Sequence, residues 1–129
     1  MAIVGLDHVA FPIEHDAEMA AFYRALGFEV REHERLIVVH AGQQKMNLHR
    51  KGLWQDAAFT LRAGPSVPGS ADLCFEFSGG EAEAAAVIRA AGGVIEEGPV
   101  GRIGGRDIEG TSVYTRDPDG NLVELICYP

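Results

Sequence analysis

The stretch Asp16–Gly27, which reads DAEMAAFYRALG, decides the fold. Its bulky apolar residues recur at the i, i+3, i+4, i+7 spacing of a single helical face, and they are Met19, Phe22, Tyr23 and Leu26. Asp16 is a suitable N-cap, and Gly27 is a suitable residue just beyond the C-terminus. The stretch therefore predicts an α-helix over residues 16–26.

The same pattern returns 65 positions further along the chain. It predicts a second helix over Glu81–Ala91, ended by Gly92, with an apolar face made of Ala84, Val87, Ile88 and Ala91. The same shift pairs a strand around Asp7–Ala10 with a strand around Asp72–Phe75. A register that holds over a strand and a helix indicates a duplication rather than chance.

Short strands follow each predicted helix. We expect them at residues 29–34, 36–41 and 45–50, and again at 94–97, 111–116 and 122–128, with Asp117–Gly120 as a turn. The fold class is then α+β, with two tandem βαβββ modules in a single domain over residues 1–129. Module one covers residues 1–50, and module two covers residues 70–129. Residues 51–69 form a linker between them. The glycine-rich stretch Gly98–Gly110 is predicted to be a binding loop or a mobile connection.

Composition and charge narrow the classes of function. The formal net charge is −8, which argues against nucleic acid as a partner because phosphates need a basic surface. We find no signal peptide and no apolar stretch long enough to span a membrane, so we expect a cytoplasmic protein with no membrane partner. Cys74 and Cys127 each lie in an apolar run, which favours buried, reduced thiols over a disulfide.

Three strings carry a family resemblance: Leu6–Val9, Phe22–Phe28 and the ending Arg116–Leu125. Together they resemble the vicinal oxygen chelate superfamily, which includes glyoxalase I, fosfomycin-resistance proteins, extradiol ring-cleaving dioxygenases and bleomycin-resistance proteins. Shorter strings at Asn47–His49, Pro68–Cys74 and Ile95–Val100 look similar to a glyoxalase-domain-containing, virulence-protein-like subgroup. The resemblance implies that each module forms a curved mixed sheet and that the two sheets enclose a cavity.

In that superfamily the metal ligands come from the first and last strands of the modules, which implies His8, Asn47, Leu73 and Glu124 here. Leu73 cannot bind a metal and Asn47 is a weak ligand, so half of the pattern departs from the family. Because side chains alternate along a strand, His49 shares a face with Asn47 and can replace it. His8, His49 and Glu124 would then hold one divalent ion (Fe, Mn, Zn, Ni or Co). The alternative for each histidine is an ordinary half-buried residue.

Further site residues are predicted on the second module. Ser112 and Tyr114 share one strand face, which lines the cavity in the superfamily or else packs as ordinary sheet. Glu124 and Tyr114 are the predicted catalytic residues, with Glu124 shuttling a substrate proton. Arginine binds carboxylate or phosphate through two parallel hydrogen bonds. The predicted substrate-binding residues are Asn47, Ser112, Arg102 and Arg106.

The resemblance implies a small metal-dependent enzyme whose ion acts as a Lewis acid on an oxygen-bearing small molecule. Lyase, transferase and ring-cleaving dioxygenase chemistries all fit. The alternative is a metal-free protein that binds or sequesters a small molecule, as bleomycin-resistance proteins do. Exposed sheet edges and an alanine-rich second helix favour a homodimer over a monomer.

Overall fold

A computed structural model describes all 129 residues. They form two compact units, Met1–Pro68 and Gly69–Pro129. No helix has both the length and the apolar character that crossing a membrane requires. In chain order the elements are β1 (His8–Pro12), α1 (Asp16–Ala25), β2 (Glu29–Glu32), β3 (Leu36–Ala41), β4 (Gln44–His49), α2 (Lys51–Trp54), β5 (Asp72–Glu76), α3 (Glu81–Ala90), β6 (Glu97–Ile103), β7 (Glu109–Arg116) and β8 (Leu122–Cys127).

The first unit is an open sheet in the order β1-β4-β3-β2, with α1 packed against one face. The β1–β4 pair is parallel and the other pairs are antiparallel. The predicted helical face is confirmed, because Met19, Phe22 and Tyr23 are all buried. The Tyr23 ring makes edge contacts with Phe22 and Phe28, at centroid distances of 5.2 and 5.8 Å. Such aromatic pairs add about 0.5–1.5 kcal/mol each beyond simple burial.

The second unit repeats this topology in the order β5-β8-β7-β6, again with one parallel pair and two antiparallel pairs. Helix α3 buries Ala84 and Ile88 completely, as its apolar face predicts. Because strand order and strand direction are equivalent in the two units, the prediction of two tandem βαβββ modules in an α+β fold is confirmed.

The two copies differ by one residue in the length of the connection between the first strand and the helix. Three residues separate β1 from α1, whereas four separate β5 from α3. The helices are therefore related by 65 positions (81 against 16) but the first strands by 64 (72 against 8). His8 corresponds to Asp72, so the predicted equivalence of His8 with Leu73 is wrong.

Two boundary predictions are also wrong. The N-cap of α1 is His15, and Asp16 is the first helical residue. Much of Gly98–Gly110 is strand β6, not a loop, and the register of β6 shifts between Glu97 and Val100. Gly98 sits in that irregularity with a φ of +107°, and a Cβ there would overlap the carbonyl oxygen of Ser112. Glycine is needed here because two backbones approach each other closely. Composition alone does not distinguish a glycine of this kind from one in a flexible loop.

The predicted linker, residues 51–69, lies almost entirely with the first unit, which ends at Pro68. It begins with the short helix α2. The indole nitrogen of Trp54 donates a hydrogen bond to the Ile13 carbonyl at 3.0 Å. This bond fastens α2 to the segment that follows β1.

Candidate functional site

The second sheet presents a polar face on the side opposite α3, and Glu124 lies at its centre. Strand register places Glu124 beside Tyr114 on β7 and beside Cys74 on β5. The Ser112 hydroxyl, which is fully buried, donates a hydrogen bond to Glu124 Oε2 at 2.5 Å. A carboxylate in an apolar strand needs such donors, since desolvating it alone is costly. This bond therefore orients the Glu124 carboxylate and offsets part of its desolvation.

Tyr114 links Glu124 to Arg102. Arg102 Nε donates a hydrogen bond to the Tyr114 hydroxyl at 3.0 Å, and the guanidinium carbon lies 5.5 Å from the ring centroid. Desolvation raises the pKa of Tyr114, Arg102 opposes that shift, and hydrogen bonding to Glu124 adds to it. The phenol is therefore neutral near pH 7. The structure brings together four predicted residues: Ser112, Tyr114, Arg102 and Glu124.

A second carboxylate, Asp72, lies on the same face and escaped the sequence analysis. Asp72 pairs with Leu122, two residues before Glu124, so the two acidic residues are diagonal neighbours across β5 and β8. Strand periodicity is the signal that could have found it. Leu73 and Phe75 are the apolar, core-facing residues of β5, and Asp72 alternates with them.

Between the two carboxylates lies Cys74. Desolvation and the negative charge of Glu124 raise the pKa of the Cys74 thiol to about 12, with a smaller contribution from Asp72. The thiol is thus protonated at neutral pH and is not a thiolate nucleophile. Cys127 is buried as predicted, but Cys74 is exposed on the polar face, and both are free thiols.

Arg106 is not adjacent to Glu124. It lies in the turn between β6 and β7, forms an ion pair with Glu76 and stacks over the Tyr128 ring, with 4.5 Å from guanidinium carbon to ring centroid. Its charge is therefore offset by Glu76, at the opposite end of β5 from Asp72.

The first sheet carries the predicted residues His8, Asn47 and His49 on its face opposite α1. His8 is opposite Lys45 and His49 is opposite Pro12, so four positions of strand separate the two histidines. That is about 13 Å, whereas two nitrogens bound to one ion lie within about 4 Å of each other. Side chains stand nearly perpendicular to a sheet, so these two rings do not converge. The structure does not bring His8 and His49 to one ion.

Each histidine has its own surroundings. His8 Nδ1 lies 2.7 Å from the carboxylate of Asp7, and both side chains are exposed. The ring of His49 makes an edge contact with Phe59 at a centroid distance of 5.4 Å. Desolvation lowers the pKa of His49. Asn47 differs from both, because its Oδ1 is buried and has no hydrogen-bond partner.

The side chains of the two polar faces can be compared with the ligands that a divalent metal ion requires. No group of three or more His, Cys, Asp or Glu side chains in the chain is placed to hold one. The second sheet nevertheless offers two carboxylates, and the first offers an unpartnered amide oxygen and an imidazole. Carboxylate and amide oxygens suit hard cations such as Mn²⁺ and Mg²⁺. Taken by itself, the second sheet therefore supplies two oxygen donors that suit such an ion.

The first unit also contains a shallow cleft of about 160 Å³ between its sheet and the segment after α2. Every residue that lines it belongs to the first unit: Ala10, Phe11, Pro12, His49, Trp54, Leu61, Arg62, Ala63 and Ser66. The cleft thus combines apolar and aromatic walls with a few polar groups, a composition typical of small-molecule sites.

Fold and polar faces together define a class, the α+β proteins built from two tandem βαβββ modules. Residues 5–125 match the Glyoxalase/Bleomycin resistance protein/Dioxygenase superfamily, and the chain belongs to this family. It is 37% identical to the virulence protein STM3117 of Salmonella typhimurium, over 99% of this chain and 87% of that protein. The crystal structure of STM3117 matches with a TM-score of 0.86 over 100% of both chains. The glyoxalase domain-containing protein RDO1 of Mycosarcoma maydis is 35% identical over 99% of this chain and 70% of that protein.

More distant structures share the fold alone. The fosfomycin-resistance protein FosX of Listeria monocytogenes, solved as a complex with Mn(II) and a dihydroxypropylphosphonic acid, is 16% identical with a TM-score of 0.66 over 99% of this chain and 93% of that chain. The antibiotic-binding protein TnmS3 of Streptomyces sp. CB03234 is 18% identical with a TM-score of 0.71 over 100% and 99%. The same fold therefore occurs in proteins of more than one function.

Proposed function

We propose that this protein is a metal-dependent enzyme that acts on an oxygen-bearing small molecule at the polar face around Glu124. The observation that carries the proposal is the placement of two carboxylates, Glu124 and Asp72, on one sheet face beside a buried hydroxyl, a neutral phenol and a guanidinium. An ion pair that only stabilises the fold rarely needs carboxylates, a hydroxyl, a phenol and a guanidinium together. A site that binds and polarises the oxygen atoms of a small molecule needs all of these groups.

Each residue has a role in this proposal. Asp72 and Glu124 would supply carboxylate oxygens to a divalent ion, which acts as a Lewis acid when bound. Ser112 orients Glu124, which also serves as the general base. Tyr114 stays neutral and can donate a proton or a hydrogen bond. Arg102 holds the phenol and stabilises negative charge that develops on a substrate oxygen. Lyase, transferase and ring-cleaving dioxygenase reactions all require this stabilisation.

Metal uptake tests the proposal without a substrate. Protein stripped with a chelator is dialysed against Mn²⁺, and the bound metal per chain is measured by elemental analysis. We expect uptake by the wild type and at least about tenfold weaker binding by Asp72→Asn and Glu124→Gln, since each loses a charged ligand. The matched control is Glu34→Gln, a neutralised carboxylate in the exposed segment between β2 and β3. Equal uptake by all four proteins would contradict the proposal.

The two histidines are tested in the same way. We propose that a histidine of the first sheet contributes to metal binding, and His8→Ala and His49→Ala are measured separately. Because the register holds the rings apart, we expect at most one of these variants to reduce uptake. Loss of the ion in both would show that the two histidines share one site after all.

A second function is metal-free binding of a small molecule, and the structurally similar TnmS3 is an antibiotic-binding protein. The observation that favours it is that Glu124 already has a donor in Ser112 and contacts Tyr114, so the polar face is stabilised without a cation. Ligand binding measured with excess chelator distinguishes the two functions. Binding that survives the chelator, with no turnover after Mn²⁺ is restored, supports the metal-free alternative.

We also propose that the protein is a homodimer. Each sheet is open, and large apolar side chains are exposed, among them Ile3, Val4 and Val94 at 97%, 98% and 79%. Natural proteins cover such edges and apolar groups, most often through a symmetric contact. Light scattering is expected to give twice the 13.9 kDa chain mass, and a single 13.9 kDa species would reject the dimer.

A cytoplasmic location is proposed from cysteine chemistry. Both thiols are free, and unpaired cysteines are usual in reducing compartments. Cell fractionation tests this directly, and recovery of the protein outside the cytoplasm would contradict it.

A further inference from the structure

We propose that the cleft of the first unit is a binding site for a small monocarboxylate whose body is a single apolar ring. The inference does not rest on the polar face around Glu124, because none of the residues of that face lines the cleft. His49 lines the cleft and is also tested above as a metal ligand, so the binding experiment below is carried out with excess chelator. It is supported by the charge state of Arg62, by the nature of the walls and by the size of the space.

Arg62 is the cation that would bind the carboxylate. Seven of the nine arginines form ion pairs with carboxylates. Arg62 forms none, although the chain has 19 acidic residues, and it is the only arginine among the residues that line the cleft. With a net charge of −8, the protein does not attract anions at long range, so a local guanidinium has to capture one. Arginine is suited to this because its planar fork matches a carboxylate.

The walls suit an apolar ring. The indole N–H of Trp54 is bonded to the Ile13 carbonyl, so Trp54 offers the cleft the aromatic surface of its ring and not a free donor. Phe11, Pro12 and Leu61 add apolar surface. Leu61 is 91% exposed, and an apolar ligand would remove part of that side chain from water, which is favourable.

The size of the cleft limits the ligand. Its volume is about 160 Å³, close to the cavity of roughly 150 Å³ that admits benzene in an engineered protein core. One ring therefore fills the space, and a second fused ring would extend out of the cleft into solvent. His49 and Ser66 also line the space and can hydrogen-bond to the second carboxylate oxygen. The chemical class is a ring of six atoms or fewer with one carboxylate.

The chain contains one tryptophan, Trp54, which lines the cleft, so fluorescence excited selectively in tryptophan reports on the surroundings of this residue. Benzoate serves as the probe, and benzamide is its neutral counterpart of the same shape. We expect a saturable change in Trp54 emission with benzoate and about fivefold weaker binding of benzamide, the effect of about 1 kcal/mol from an exposed charge pair. Arg62→Gln should weaken benzoate binding by about the same factor and leave benzamide unchanged.

Two controls make the result decisive. Arg89→Gln removes another arginine without an ion pair, on α3, and is expected to bind benzoate as the wild type does. Leu61→Gln should weaken both ligands equally, because it removes apolar surface only. Arg62 and Leu61 are exposed, so neither variant removes a core residue, and an unchanged thermal transition verifies folding.

Three outcomes would overturn the proposal. Equal binding of benzoate and benzamide by the wild type would show that no cation is used. Competition by inorganic phosphate as strong as that by benzoate would identify a general anion site in which the ring has no role. A shift of Trp54 emission with protein concentration alone, and no response to benzoate, would show that a second copy of the chain occupies the cleft.

Discussion

Replacing Asn121 is expected to disrupt the connection between the two strands that carry the proposed metal ligands. Asn121 is completely buried. Its Nδ2 donates to Asp117 Oδ2 at 2.8 Å, and its Oδ1 accepts a hydrogen bond from the Ala71 amide at 2.9 Å. Ala71 immediately precedes Asp72, so this single side chain fixes the start of β5 against the turn before β8.

The expected cost of Asn121→Ala follows from these two bonds. A hydrogen bond to a charged carboxylate contributes about 1.5–3 kcal/mol, and an amide left without a partner costs about 1–3 kcal/mol. We therefore expect the free energy of unfolding to fall by about 3–5 kcal/mol. The Ala71 amide should also lose protection from hydrogen exchange, because its acceptor is gone.

Asn121→Asp separates the two bonds. It keeps the acceptor for Ala71 but places a second carboxylate against Asp117. At pH 7 the like charges repel, whereas at lower pH one carboxyl group takes up a proton and donates a hydrogen bond to the other. The pKa of that carboxyl group is raised in the folded state, so its contribution to stability is present at low pH and lost as the pH rises.

Denaturant unfolding at pH 7 and pH 4.5, with amide exchange at Ala71, measures these effects. Gln43→Ala, in the exposed turn between β3 and β4, is the control and should lie within about 0.5 kcal/mol of the wild type. The reasoning is refuted if Asn121→Ala costs less than about 1 kcal/mol, or if the deficit of Asn121→Asp relative to wild type is the same at both pH values.

Three further predictions test other parts of the molecule. Gly98→Ala should destabilise the protein by about 2–4 kcal/mol in denaturant unfolding, because a positive φ and overlap with the Ser112 carbonyl add up; a neutral effect would show that β6 can move away. Ser112→Ala should cost about 1–3 kcal/mol at pH 7, since Glu124 loses its buried donor, and a stability equal to that of the wild type would show that water replaces the hydroxyl. The hydrogen bond from Arg24 lowers the pKa of Glu32, so the stability from this pair is full above about pH 4.5 and is lost as the pH falls through the folded value. Arg24→Gln should flatten that acid dependence in thermal melts, and an unchanged profile would argue against the pair.

The helices and the duplicated topology could be predicted from the sequence because they depend on periodicity. The apolar spacing of α1 and α3 is set by contact with a sheet, and the same constraint acts on both copies. Strand β6 could not be predicted in the same way. Its glycines give it the composition of a loop, and only the close approach of Gly98 to Ser112 explains why a strand tolerates them.

The candidate site was predicted in part for a related reason. Shared parity places Ser112 and Tyr114 on one strand face, whereas Glu124 was predicted from the resemblance to the superfamily. The register of β7 with β8 then brings all three residues to one face. Asp72 was missed because one extra residue before α3 shifts the first strand against the helix, and helical register carries no information about that connection. His8 and His49 show what strand parity cannot predict. They share a face, but parity does not report how far apart two positions lie along a strand.

Each sheet pairs only strands of its own unit, and this has a consequence for synthesis of the chain on the ribosome. The pairing partner of β1, strand β4, has been synthesised once His49 has been added to the chain, and the first unit ends at Pro68, before the first strand of the second sheet begins. Domains generally fold as units during translation, N-terminal part first. A nascent chain of this protein can therefore close one half completely while the other half is still being translated. No strand of the first half has to wait, unpaired, for a partner from the second.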